Sequence, residues 1–437
     1  MNRARQLIAA ALAAVALVGA AAPSAPAPDT SGWSWQPMYF SGLASPSVSV
    51  ANDQVTALKV VGDDLFVGGS FTNFAGVLNR NRIARWNSVD GLWHDVGPVG
   101  AITSGSVLSI EVSGDILYVG GNFTIVDAAS ETHHNFAYLN MTTNEWHGIN
   151  GASSGDLVSN GEVRTIFADE ATASLYVGGT FTNGNDNDNA DYLMIGTFSA
   201  CGGGVVSACV AEVPHVSVCG GVSVSCAIAL PNRWDPVGDD GAGGPALTAF
   251  VSSVASDPAG GVLISGDFGA AGGVAGANSL VRLTYTDHFV WTPQSTPAVT
   301  MYPIALFNST PYVGGWEDVY RRNADQTWSP ICASGLHVPG GSWTSVTPVS
   351  STLVITGNPD GLFACNPQTG GSLNFFTGSF VTAIAKFHDD LIVAGGTDLG
   401  DLGSVADYIA IVRGIDFTDL PSRPIATRAT KPRASSC

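Results

Sequence analysis

One pattern recurs along this chain and limits what it can fold into. It reads Leu65-Phe66-Val67-Gly68-Gly69-Ser70-Phe71, then Leu117-Tyr118-Val119-Gly120-Gly121-Asn122-Phe123, then Leu175-Tyr176-Val177-Gly178-Gly179-Thr180-Phe181. A fixed motif at blade-sized spacing marks a repeated supersecondary unit that cannot bury its apolar face alone. Each unit runs in one order. An alternating strand (residues 55–60) is followed by a Gly/Asp turn, an apolar strand ending in Gly-Gly, a polar loop, a third strand (83–86), and a turn opened by Asn87 into a fourth strand at Trp93. Four short strands separated by turn chemistry make one antiparallel blade.

Seven such units can be counted. The second covers 107–112, 117–123, 136–140 and Trp146. The third covers 163–167, 175–181, 192–195 and Trp234. The fourth covers 247–251, 262–268, 280–283 and Trp291, with Ser-Gly replacing Gly-Gly. The fifth (304–307, 312–315, 319–322, Trp328) keeps the pattern, and the sixth (345–349, 353–357, 362–365) carries Phe375 and Phe376 where Trp is expected. The seventh (381–387, 391–396, 408–412) has no following tryptophan. An orphan segment, Trp33-Ser34-Trp35-Gln36-Pro37-Met38, precedes the first unit and supplies the missing fourth strand. The predicted fold is therefore an all-β, seven-bladed β-propeller of four-stranded antiparallel blades, its ring closed by an N-terminal strand. Closing so long a chain costs about 5 kcal/mol of loop entropy. Burying one tryptophan contributes about 4–6 kcal/mol gross, so the latch can offset the cost.

Gly-Gly is expected where a Cβ would obstruct a close backbone approach. The tryptophans are expected in the wedges between blades. Asn87, Asn140, Asn323 and Asn366 are expected at turns needing a positive φ.

The domain plan is a signal peptide over 1–22, a linker over 23–32, the propeller over 33–420 and a disordered basic tail over 421–437. A Cys-rich insertion, 197–230, interrupts blade 3. Arg3 and Arg5 precede an apolar stretch, 7–18, too short to span a bilayer comfortably. Small residues follow it, so the expectation is a secreted or extracytoplasmic protein with no stable membrane span after processing. The chain holds 36 acidic and 17 basic residues, with net charge −19. Six of the basic residues lie in the leader and tail. Such a body repels nucleic acid and anionic lipid and favours cationic partners.

Seven cysteines suit an oxidising compartment. Cys201, Cys209, Cys219 and Cys226 can form two local disulfides in three connectivities, and their spacing lacks the C-x-x-C pair of a zinc site. Cys332 and Cys365 can form a further bridge. Cys437 is left over.

The repeats resemble the kelch and galactose-oxidase central-domain group of propellers, in which Gly-Gly is followed by an aromatic and then a Trp. Tyr138 to Trp146, Trp86 to Trp93 and Tyr320 to Trp328 reproduce that order. The fuller LYVGGxF…IARW…W pattern resembles the repeat of secreted bacterial propellers and of fungal polarity-landmark proteins. The resemblance implies the fold, and implies binding and scaffolding roles more than catalysis. Copper oxidation of the galactose-oxidase kind needs two His, two Tyr and a cross-linked Cys, and no matching set is present.

No nucleophile elbow, zincin helix or phosphate loop appears, so no residue is assigned as catalytic or cofactor-binding. Asp63, Asp115, Asp169 and Asp389 recur as turn formers. His133-His134 is read as part of a loop. Asn183-Gly184-Asn185-Asp186-Asn187-Asp188-Asn189-Ala190-Asp191 supplies many oxygens, and Asp186, Asp188 and Asp191 are the candidate Ca²⁺ ligands. The expected role is an exported binding or cell-surface interaction module for an extracellular protein or glycan. An extracellular carbohydrate-active hydrolase or lyase is the alternative. The loops between second and third strands are the expected binding face.

Overall fold

The computed structural model describes residues 34–37, 50–78, 80–150, 155–187, 190–198, 217–219, 222–224, 231–237, 246–285, 288–295, 301–315, 318–332, 343–377, 380–396 and 408–414. Seven antiparallel blades surround one channel. From the channel outward, blade 1 comprises Val55–Val61, Asp64–Gly69, Ile83–Asn87 and Leu92–His94. Blade 2 comprises Val107–Ser113, Ile116–Val126, Thr132–Asn140 and Glu145–Gly148, with Ile102–Ser104 added beside Ile116–Val126. Blade 3 runs Val163–Asp169, Ser174–Gly179, Leu193–Phe198, Pro231–Pro236, and blade 4 runs Val251–Ser256, Val262–Gly266, Leu280–Tyr285, Phe289–Pro293. Blade 5 is Met301–Phe307, Thr310–Gly315, Val319–Arg322 and Trp328–Pro330. Blade 6 is Ser345–Ser350, Leu353–Asn358, Gly361–Cys365 and Ser372–Thr377.

Blade 7 takes three strands from the C-terminal part of the chain, Val381–Phe387, Asp390–Gly395 and Ile409–Arg413. Its outermost strand is Ser34–Pro37, paired Ser34↔Arg413, Trp35↔Val412, Gln36↔Ile411 and Pro37↔Ala410. Residues 34–37 of the orphan segment thus close the ring, as its sequence suggests, and Trp33 and Met38 lie outside the described residues. The innermost strands pack side by side in order, and that of blade 7 packs against that of blade 1.

The two glycines of each motif have separate tasks. A Cβ on the first would meet a side chain of the next blade's innermost strand: Val107 Cγ1 at 2.7 Å from Gly68, Val163 Cγ1 at 2.3 Å from Gly120, Val251 Cγ1 at 2.7 Å from Gly178, Val381 Cγ1 at 2.4 Å from Gly357. A Cβ on the second would strike its own blade's backbone, as Gly69 against the Gln54 carbonyl at 2.0 Å and Gly179 against that of Glu162 at 1.9 Å. In blade 4 a serine replaces the first glycine, and its hydroxyl donates to the Tyr302 carbonyl of blade 5.

A lace of hydroxyls adds polar joints. Thr56 donates to the Val107 carbonyl at 2.6 Å, Ser109 accepts from Ile166 N–H at 3.0 Å, Thr165 from Val254 at 3.3 Å and Ser253 from Ile304 at 3.2 Å. Ser345 accepts from Ile384 at 3.1 Å, and Thr382 donates to the Val55 carbonyl across the closure. These bonds satisfy backbone groups that neighbouring strands of different sheets leave unpaired.

The tryptophans fill the wedges. Trp146 is buried with Ala57, Phe66 and Ile83 of blade 1, and Trp234 stands edge-on to Phe136 of blade 2 at 5.7 Å. Two further joints are specific to blades 4 to 6. Arg322 makes a two-pronged bond to Asp257, 2.6 and 2.9 Å, with both side chains at most 4 % exposed. Cys332 and Cys365 form a disulfide between blades 5 and 6, with Cα atoms 5.4 Å apart.

Several expectations need correction. The first strand of blade 4 is Val251–Ser256 rather than 247–251, because Val251 is the residue seated over Gly178. Leu247 instead bridges to Ala271. The third strand of blade 3 starts at Leu193, since Tyr192 turns with φ 65°. None of the four turn asparagines has a positive φ. Asn87, Asn140 and Asn366 instead accept N–H bonds from the residues two and three positions on, at 2.9 to 3.3 Å, as Asx turns do. His133 and His134 lie within the strand Thr132–Asn140, not in a loop.

The signal peptide, the linker, the basic tail, Asp188, and Cys201, Cys209, Cys226 and Cys437 lie outside the described residues. Of the insertion, a hairpin of Ser217–Cys219 and Val222–Val224 is described.

Overpacking at the blade junction is directly testable. Gly120→Ala should destabilise the protein by about 1–3 kcal/mol in denaturant unfolding. Val163→Ala in the same chain should recover part of that loss, giving a coupling above about 0.5 kcal/mol. Arg322→Ala strands the buried Asp257 carboxylate and should destabilise by about 3–5 kcal/mol. Replacing both partners with apolar residues should cost far less.

Candidate functional site

Strand direction divides the loops between two faces. The connections from second to third strand share one face with the links between blades. Local chemistry holds this face in place. The aromatic of each motif, Phe71, Phe123, Phe181 and Phe268, is buried under its loop. The loop re-enters the sheet through a non-glycine residue at positive φ: Arg82 (62°), Tyr192 (65°) and Ser279 (56°). Their N–H groups donate to the carbonyls of Phe71, Phe181 and Phe268 at 2.8 to 2.9 Å.

Residues of the preceding link clamp the other end. Asn52 Oδ1 accepts from Thr72 and Asn73 N–H, both at 2.9 Å, and Asn160 Oδ1 from Thr182 at 2.8 Å. Thr248 Oγ1 accepts from Gly269 and Ala270, at 3.0 and 3.1 Å. Loops tied at both ends present a preformed surface, which lowers the ordering cost of binding.

The channel mouth on this face carries an aromatic and cationic run. The Arg164 guanidinium stands 4.7 Å from the centre of the Phe250 ring, and Phe250 stacks on Tyr302 at 6.4 Å. Arg164 also bonds Glu162 at 3.2 Å, and Glu162 accepts from Asn122 at 3.3 Å. Phe380 of blade 7 is exposed. These residues come from the starts of the innermost strands of different blades, so ring closure brings them together.

A cavity of about 420 Å³ lies between blades 5, 6 and 7, walled by Ala305, Phe307, Val349 and Ile384, with Lys386 at its edge. It adjoins the junction of blades 5 and 6, where Pro303 takes the place of the lacing hydroxyl. In the channel, Lys59 of blade 1 pairs with Glu111 of blade 2 at 2.6 Å. Burial pushes the Glu111 carboxyl above its ordinary range, more than Lys59 draws it down.

Blade 2 departs from the pattern. Its second and third strands run past the Gly-Gly site, jumping register between Gly120↔Phe136 and Thr124↔His134. At the tip, Asp127 Oδ1 accepts from Ala129 N–H at 2.9 Å and Glu131 N–H at 2.8 Å. Its other oxygen, Oδ2, lies 3.4 Å from His133 Nε2. Asp156, in the link to blade 3, faces His133 Nδ1 at 3.1 Å and His134 Nδ1 at 2.6 Å. The sequence reading as part of a loop gave these two histidines no role. In the strand their rings project to opposite sides of the backbone, yet Asp156 reaches both with separate oxygens.

The predicted Ca²⁺ ligands are only partly placed. Asp186 is exposed at the end of a single 3-10 turn, Gly184–Asp186. Asp191 accepts the Asn183 N–H at 2.7 Å, so one of its oxygens serves the loop itself. The turn aspartates behave as expected. Asp169, for instance, accepts from Ala171 N–H at 3.1 Å and Thr172 Oγ1 at 2.7 Å.

Ser88, His388 and Asp63 meet on the opposite face, with Ser88 Oγ 3.1 Å and Asp63 Oδ1 3.4 Å from the same His388 Nε2. A hydrolytic triad needs the acid on the other ring nitrogen. These three form an exposed clasp between blades 1 and 7.

No protein-family model matches the chain, and no curated protein matches it in sequence. Solved propeller structures do match. The structure described as YCF48 bound to D1 peptide aligns at 9 % identity, covering 90 % of this chain and all of its own, with a TM-score of 0.51. YCF48 from Cyanidioschyzon merolae aligns at 12 % identity over 87 % of this chain and 98 % of its own, TM-score 0.45. Catalytically inactive virginiamycin B lyase from Staphylococcus aureus, with quinupristin, aligns at 9 % over 88 % of this chain and all of its own, TM-score 0.44. At these identities the likeness is one of fold.

Proposed function

We propose that the chain is an exported binding module that holds an extracellular protein partner on the face of the second-to-third-strand loops. The observation that carries this reading is the mouth formed by Arg164, Phe250, Tyr302 and Glu162 beside loops of blades 1, 3 and 4 that are tied at both ends. Half-buried aromatics beside an arginine are the residue types that anchor protein interfaces. The scaffold supports the same reading by analogy, since the YCF48 structure holds a peptide. The LYVGGxF repeats, with their likeness to secreted kelch-like propellers, support it from the sequence side. The net charge of −19 favours partners with basic segments. Among the described residues no helix is long and apolar enough to cross a membrane. Export rests on the basic, then apolar, leader and on the buried Cys332–Cys365 bridge.

Two measurements test this reading. The purified protein should retain a protein from its native extracellular milieu, and retention should fall with salt and in Phe250→Ala and Arg164→Ala. Retention of glycans alone, or turnover on a glycan panel, would replace the proposal with the carbohydrate-active alternative. Separately, Cys332→Ala with Cys365→Ala opens a crosslink spanning 33 residues and should lower stability by about 3–4 kcal/mol. Protein recovered from cells should carry this bridge oxidised, as thiol alkylation followed by mass spectrometry would record. Recovery of both thiols reduced would argue against export.

A further inference from the structure

The blade 2 hairpin tip carries an arrangement that no part of the binding role uses. His133 is 5 % exposed, and its Nε2 is buried with no hydrogen-bond partner. That nitrogen faces two carboxylates, Asp127 Oδ2 at 3.4 Å and Glu131 Oε2 at 3.9 Å. The three ligand atoms all lie within 4.8 Å of one another, and among the described residues they are the one such group of His, Cys, Asp and Glu. Asp127 is 9 % exposed and Glu131 is 64 % exposed, so the group is walled on one side and open to solvent on the other.

The surrounding residues fix the direction of the imidazole. Asp156 Oδ1 lies 3.1 Å from Nδ1, which holds the ring with Nε2 turned toward Asp127 and Glu131. Asp156 is itself held by His134. Gly148 on the outermost strand makes room for the ring, since a Cβ there would fall 2.0 Å from His133 Cγ. Asp127 is aimed by the two N–H groups bound to its other oxygen. Two carboxylate oxygens gathered around an unpartnered ring nitrogen, partly out of water, are stabilised when a positive charge sits among them.

We propose that Asp127, Glu131 and His133 form a binding site for a divalent first-row transition ion, with Asp156 as the residue that orients the histidine. Ligands about 2.0–2.1 Å from a shared tetrahedral ion stand about 3.4 Å apart, close to the spacing seen. One nitrogen and two carboxylate oxygens suit Zn²⁺ and its neighbours better than Ca²⁺ or Mg²⁺, which take oxygen ligands. The carboxylate–histidine pair behind the site is the support that metal-bound imidazoles ordinarily have. Three protein ligands leave a coordination position open toward solvent.

The test uses the full chain stripped of metal with EDTA, with ZnCl₂ as the probe, read by isothermal titration and by thermal unfolding. Zn²⁺ should raise the melting temperature, and titration should give a site that His133→Gln abolishes. Glu131→Gln changes an exposed side chain and cannot unfold the blade. It should weaken binding about tenfold or more while leaving the metal-free melting temperature unchanged. Asp156→Asn should weaken it about 10–100-fold. Co²⁺ in place of Zn²⁺ should show no thiolate charge-transfer band, which separates this site from the cysteine insertion. Zn²⁺ binding that survives in His133→Gln, or no binding by the unaltered protein, would overturn the proposal. In the latter case His133 serves as an ion-paired strut between three acids.

Discussion

A branched side chain from one blade, seated over a glycine α-carbon of the blade before it, sets the angle at which successive sheets meet. Val107, Val163, Val251 and Val381 each occupy the space that a Cβ on Gly68, Gly120, Gly178 or Gly357 would take. Apolar contact of this kind has no direction of its own, so the hydroxyl lace supplies one. Thr56, Ser109, Thr165, Ser253, Ser345 and Thr382 each tie the innermost strands of two successive blades. Packing sets the distance between neighbours, and the hydrogen bonds set their slide. A regular ring follows from the two together, and with it the channel mouth where residues from separate blades converge.

The junction between blades 5 and 6 lacks the lacing hydroxyl and has other supports. Pro303 stands at that position, Trp343 covers Gly314, and the disulfide crosses nearby. The cavity between blades 5, 6 and 7 is lined further along the same innermost strands, from Ala305 and Val346 onward. On the other face the loops are held by buried phenylalanines below and Asn or Thr clamps beside. A binding surface of this construction changes little in shape when occupied. The hairpin tip of blade 2 stands apart from the mouth, with its own buried histidine and acids, and it departs from the repeat in length as well as chemistry.

The repeat made the architecture legible, because each structural residue recurs at a fixed offset. Gly-Gly, the motif phenylalanine and the outer tryptophan all fall where their spacing places them, and the latch was readable as a strand missing from blade 7. Errors arose where one residue type supports two geometries. Asparagine at a turn can adopt a positive φ or accept two N–H bonds, and Asn87, Asn140 and Asn366 do the second. Where a positive φ is required, at the re-entry to the third strands, blade 2 uses Asn135, but blades 1, 3 and 4 use Arg82, Tyr192 and Ser279, which carry no such signal. The His133 group was not legible for a related reason. Asp127, Glu131 and His133 are close in sequence, but Asp156 and Gly148 reach them through strand register and the link to blade 3. The one available clue was the i, i+4, i+6 spacing of acid, acid and histidine ahead of a strand.

Pairing Ser34–Pro37 with Ile409–Arg413 ties the first described strand of the ring to the last. As synthesis proceeds from the N-terminus, the segment that completes the ring is available first and its partner last. Blades 1 to 6 can form while the last strand is still being made, but the seventh sheet cannot be finished until that strand has emerged. For that interval the strand beside the gap offers bare backbone donors and acceptors to any other chain nearby. The architecture therefore places its most vulnerable moment at the end of assembly, and gives a quality-control factor or a stray sister chain one defined edge to capture.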